Sequence, residues 1–165
     1  MLALTLAFLA NAADLPPPTA TVQDDGSVIG SVELAVPPET LRARLADPAW
    51  LPTISKDGTT VTLTGKEGGC QLIKSESPNV VMTARYTTRR CPTADGYQST
   101  LIEGNAFDTY ATSWSIIPTE TGARATYKVS LTTSLWVPNS MVRRTTRNTI
   151  QEMLVNLQTW SQTAQ

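Results

Sequence analysis

The chain has 165 residues, a formal net charge of −1, no histidine and two cysteines. Such a length suits one domain with a sizeable core, and the near-neutral balance excludes the basic surplus of a dedicated nucleic-acid binder. Without histidine the commonest general base, the commonest metal ligand and the His-dependent Ser and Cys triads are all missing, and two cysteines cannot build a four-thiolate zinc site, so no metal or cofactor is expected.

Residues 1–12, MLALTLAFLANA, are apolar and uncharged. A run of this length is too short to span a membrane and suits the apolar core of a signal peptide, with Ala10-Asn11-Ala12 as the small-x-small cleavage pattern. The segment has no Lys or Arg. A start further upstream, or an ordinary hydrophobic N-terminus, therefore stands as an alternative. Export places the mature protein in the periplasm or outside the cell. Residues 13–26 hold three consecutive prolines (Pro16, Pro17, Pro18) and an Asp24-Asp25-Gly26 turn. They read as an extended tether leading into a domain over 27–165.

Residues 27–36 (SVIGSVELAV) alternate like a strand, with Val28, Val32, Leu34 and Val36 on one face. Pro37-Pro38-Glu39-Thr40 suits a helix start, Leu41 and Leu45 share a face, and Asp47-Pro48 ends the helix. A second short turn follows at Ala49-Trp50-Leu51. Beyond Ser55 the period changes to two. Strands are expected over 60–64, 70–75, 80–90, 97–103, 110–117 and 124–134, rich in Thr, Val, Ile and Tyr. Counting the first strand gives seven, and short links between consecutive strands imply an antiparallel meander. Cys70 and Cys91 are the only cysteines. In an exporting compartment they are expected to form a disulfide, with two separate buried thiols as the alternative.

After Pro138 the pattern returns to helical spacing as far as Thr163, with neither Gly nor Pro. Ile150, Leu154, Leu157 and Trp160 form a buried stripe, and some 24 residues would extend about 36 Å. Arg143, Arg144 and Arg147 lie in the first half of this helix. They suit either a solvated outer face or a weak contact with an anionic membrane surface.

The fold class expected is therefore α+β: a seven-stranded curved antiparallel sheet wrapped around a long C-terminal helix, with one or two short helices after strand 1. This order resembles the helix-grip fold of the START-like (SRPBCC) superfamily. Three stretches carry the resemblance: residues 32–41 (VELAVPPETL), similar to the family's strand-to-helix opening; residues 47–52 (DPAWLP), similar to its "D…W…P" turn; and the amphipathic helix after Trp136-Val137-Pro138. It covers about 27–162 and departs from the cytoplasmic members in its signal segment and cysteine pair. The resemblance implies a cavity between sheet and helix that takes lipids, sterols, polyketides or similar apolar molecules.

Candidate ligand-binding residues are Trp50, Met82, Tyr86, Ile102, Tyr110, Trp114, Ile116, Tyr127, Trp136 and Met141. As a set they give apolar walls with a few hydroxyls, as small-molecule pockets have. Each taken singly is also a reasonable core residue. No catalytic residue is assigned. Binding of a hydrophobic small molecule or lipid by a monomer is the main expectation. The alternative is a cyclase/aromatase- or dehydratase-like enzyme using Glu103, Tyr110 and Arg85. A third possibility is an interaction module whose cavity is filled by its own side chains.

Overall fold

The structure, a computed structural model, describes residues 15–78 and 82–164. The expected signal segment therefore lies outside the described residues. Eight strands form one antiparallel sheet: β1 (Thr19–Val22), β2 (Val28–Leu34), β3 (Thr60–Glu67), β4 (Cys70–Pro78), β5 (Thr83–Pro92), β6 (Gly96–Gly104), β7 (Thr109–Thr119) and β8 (Gly122–Thr132). The spatial order is β1-β2-β8-β7-β6-β5-β4-β3. Between β2 and β3 come helix α1 (Pro38–Leu45) and a short 3-10 helix (Leu51–Thr53), and helix α2 (Asn139–Thr163) ends the chain. The α+β helix-grip architecture is thus the one expected from the sequence, with a correction to the strand count.

The additional strand comes from the segment expected as a tether. Thr19–Val22 pairs with Ser31–Val28 across the Gly26 turn, where φ is +82°. The proline run before it is held against α2: Gln158 Nε2 donates to the Pro16 carbonyl (2.9 Å) and Gln151 Nε2 to that of Pro18 (2.8 Å). Proline lacks an N–H but keeps its carbonyl, so an extended proline segment can still be fastened by donors from a neighbouring helix.

Strand β2 alternates as its sequence requires, burying Val28, Gly30, Val32 and Leu34. Gly30 is needed for close approach. A Cβ there would stand 2.5 Å from Leu154 Cδ1 and 2.6 Å from Ile150 Cγ2, so α2 could not lie as near the sheet. The buried stripe of α2 is Ile150, Leu154, Leu157 and Ser161. Ser161 takes the place expected for Trp160, because the helical period after Leu157 falls at +4. Its hydroxyl accepts from the Ala35 N–H and donates to the Gln158 carbonyl. Trp160 packs beside the stripe, edge-on to Trp50 with ring centroids 5.0 Å apart.

One asymmetry of α2 positions the site. Its C-terminal half is sunk into a core with Val28, Val32, Leu34, Leu41, Leu45 and Ile116, each such side chain contributing about 2 kcal/mol by burial. Its N-terminal half, up to Thr149, contains no fully buried residue. The sheet therefore grips one end of the helix and stands off from the other.

Helix α1 plugs the gripped end of the sheet. The carbonyls at its end are met by side chains from the strands: Arg90 Nη1 donates to Leu45 O, Gln71 Nε2 to Ala46 O (2.9 Å), and Tyr97 Oη to Arg42 O (3.3 Å), which also accepts from the Ala46 N–H. A disulfide joins Cys70 and Cys91, which face each other across β4 and β5, next to the Gln71–Arg90 pair.

Candidate functional site

Under the N-terminal half of α2 lies a cavity of about 250 Å³. Its floor is built from alternate residues of the concave sheet face: Ala84 and Tyr86 on β5, Tyr110 on β7, and Tyr127, Val129 and Leu131 on β8. The roof is α2 itself, through Met141, Val142, Thr145, Thr149 and Met153. Phe107, Leu135 and Val137 close it from the loops, while Lys56, Pro78 and Met82 stand on the side of β4 and β5. Met141 lines the cavity and is also 44% exposed, so the wall reaches solvent at the start of α2.

A smaller chamber of about 120 Å³ adjoins it, and Tyr86, Tyr110, Tyr127 and Met153 line both. Its further walls are Ile54, Val61, Ile73 and Trp114, with a set of polar groups: Ser75, Thr88, Arg90, Ser99 and Thr112. The large cavity is thus mainly apolar, and the small one is about evenly polar and apolar.

The shared wall is aromatic. The rings of Tyr86, Phe107 and Tyr110 lie 5.0 to 5.3 Å apart, and Tyr127 lies against Trp114 at 4.4 Å, tilted by 33°. The phenol of Tyr110 interacts with those of Tyr86 and Tyr127, which reach on to Ser75 and Thr112 respectively. A row of hydroxyls therefore crosses the boundary between the chambers. Burial is the main cause that pushes all three phenols above their ordinary value near 10, Tyr110 furthest. The sign follows: folding favours the protonated phenols, so their contribution is complete below about pH 10 and is lost as the pH rises beyond it. In an alkaline titration these tyrosines should accordingly add no pH dependence to the stability near neutrality and a fall above about pH 10. Tyr110→Phe should flatten that fall, as followed by denaturant melts and tyrosinate absorbance. An unchanged slope in the variant would contradict this assignment.

Of the residues expected to bind ligand, Met82, Tyr86, Tyr110, Tyr127 and Met141 line the large cavity, and Trp114 lines the small chamber. Four lie elsewhere. Ile116 is wholly buried in the core beside α1, and Trp50 (9% exposed) packs on Trp160. Ile102 is 53% exposed because Tyr97 and Ser99 turn inward on β6, which sends the even positions outward. Trp136 is fully exposed, whereas its neighbours Leu135 and Val137 turn into the cavity. The set considered for catalysis is not assembled. Tyr110 faces the cavity, but Arg85 lies on the outer surface, 3.5 Å from Glu76, and Glu103 is exposed beside Thr87.

Sequence reasoning missed Phe107, Leu135, Val137 and the threonines of α2. Period two around Trp136 carried a usable signal for Leu135 and Val137. Arg90 was missed as well, although Ala84, Tyr86, Thr88 and Arg90 follow one another at inward positions of β5.

No family model and no curated protein matches the sequence. Solved structures do match in shape. A START superfamily protein from Mycobacterium smegmatis superposes with a TM-score of 0.74 at 16% identity, over 84% of this chain and 99% of that one. The Zhui aromatase/cyclase from Streptomyces sp. R1128 gives a TM-score of 0.67 at 14% identity, over 84% and 92%. A STAR-related lipid transfer protein from Xanthomonas axonopodis gives 0.62 at 15% identity, over 81% and 84%. At these identities the likeness concerns the fold, which is the START-like helix-grip fold.

Proposed function

We propose that the protein is an exported binding protein for an apolar small molecule or lipid, held between the sheet and the N-terminal half of α2. The observation that carries this reading is the cavity of about 250 Å³ with predominantly apolar walls, close to the lower end of the range for small-molecule sites. The site contains no assembled acid–base pair among the described residues, so retention of a ligand accounts for its chemistry better than turnover does. The lipid-transfer protein of the same fold supports the ligand class. Export to the periplasm or beyond rests on the apolar segment 1–12 and on the Cys70–Cys91 disulfide, which an oxidising compartment maintains. A weak approach to an anionic membrane surface rests on exposed Arg143, Arg144 and Arg147 and on Trp136, beside the wall where the cavity meets solvent. The protein acts as a monomer in this reading.

The test is native mass spectrometry of protein isolated from its own compartment, before and after organic extraction. A reproducible adduct that extraction removes and identifies as apolar is the expected result. Protein of unadorned mass, which also fails to take up any added lipid, would remove the basis for the proposal.

A further inference from the structure

Among the described residues the buried polar side chains are not scattered: Ser75, Thr88, Arg90 and Thr112 all line the small chamber, while Ser27 and Ser161 lie elsewhere. Arg90 is the one charged member, 4% exposed. Its Nη1 is engaged with the Leu45 carbonyl and, at 3.4 Å, with Gln71 Oε1. Tyr97 lies 4.0 Å below the guanidinium, and Nη2 is buried without a hydrogen-bond partner. No Asp or Glu lines either chamber, and no carboxylate pairs with Arg90 among the described residues. A buried cation lacking a counter-ion is unfavourable, and one with an idle N–H group is doubly so. Capping the end of α1 explains Nη1. The end of α1 and the Tyr97 ring offset part of the charge, but Nη2 has no partner and no carboxylate answers the guanidinium among the described residues.

We propose that the ligand is an amphipathic acid, its apolar body in the large cavity and its carboxylate in the small chamber, drawn there by Arg90. This rests on the binding function proposed above and narrows its ligand class. A carboxylate is the complement of a guanidinium in both charge and planar geometry. The hydroxyls of Ser75, Thr88 and Thr112 supply donors for the second carboxylate oxygen. Tyr86, Tyr110 and Tyr127 line both spaces, so a molecule spanning the two passes along the hydroxyl row. The other cation of the site, Lys56, lines the large cavity and donates to the Pro78 carbonyl (3.1 Å). It provides the internal control.

Calorimetric titration of the delipidated protein with decanoic acid, decanol and decylamine at neutral pH decides the matter. Desolvation favours the alcohol, so a preference for the acid requires a positive partner inside. The acid should bind about tenfold or more tightly than the alcohol, and the amine least. Arg90→Gln should erase the preference while Lys56→Met keeps it. Equal binding of acid and alcohol by the unaltered protein, or a preference that Lys56→Met removes and Arg90→Gln does not, overturns the acid assignment and leaves the binding function standing. Binding of none of the three overturns both. If Arg90→Gln does not fold, the ranking of the three ligands on the unaltered protein and on Lys56→Met still decides.

Discussion

Opening the Cys70–Cys91 disulfide, by reductant or by the Cys70→Ser/Cys91→Ser double change, is expected to lower the stability of the fold by about 3 kcal/mol and its Tm by about 10 °C. The two cysteines are 21 residues apart in sequence and face each other across β4 and β5. The bond therefore closes a loop of that length in the unfolded chain, and the lost loop entropy sets the magnitude. The place of the bond matters as well. The adjoining pair, Gln71 and Arg90, holds the last carbonyls of α1, so loosening β4 and β5 also loosens the helix that plugs the gripped end of the sheet. Thermal melts with and without reductant, with mass shifts on alkylation to establish which thiols are open, provide the check. An unchanged Tm in protein whose two thiols are fully alkylated would show that the bond contributes little.

The second large effect is expected at Ala84. This residue is 5% exposed, sits on the floor of the large cavity and points inward between α2 and the aromatic wall. In a filled core, Ala84→Phe would cost about 1–3 kcal/mol through overpacking. Here the ring has an open space to enter, so Tm should move by only a few degrees while affinity for an apolar ligand falls more than tenfold. The two measurements separate the alternatives. Collapse of the variant would mean that the space is not available to a side chain, as in an interaction module with a filled interior. Undiminished binding by a stable variant would place the ligand elsewhere.

Most of the architecture was legible in the sequence because its signals are local. Alternation in 27–36, the Pro38 start and Asp47-Pro48 stop of α1, and the uninterrupted run after Pro138 each reflect the intrinsic geometry of one element. Strand β1 escaped because a four-residue edge strand beside three prolines looks like linker until its partner is known. Its hydrogen bonds are to β2 and its anchors are on α2, more than a hundred residues away.

The site divides in the same manner. Tyr86, Tyr110, Tyr127 and Met82 were found because period two assigns a residue to a face of its own strand, and Met141 because it opens the last helix at one end of the sheet. Whether that face is core or cavity is a different question, and nothing local answers it. Ile116 and Tyr110 both lie on the inner side of β7, yet one is sealed beneath α1 and the other lines open space. The difference arises because α2 is sunk at Ile150, Leu154 and Leu157 and lifted over Thr145 and Thr149. Arg90 shows the same limit from the polar side. Its inward direction follows from strand alternation, but its burial, its idle Nη2 and its want of a carboxylate partner among the described residues emerge only when α1, β4 and β6 close around it. The sequence by itself determined the elements, their order and the inner and outer face of most strands, since those depend on neighbours along the chain. The tertiary structure alone decided where the sheet grips the helix, where it leaves a cavity, and that the adjoining chamber holds a cation with no carboxylate partner among the described residues, since those depend on residues brought together from distant parts of the chain.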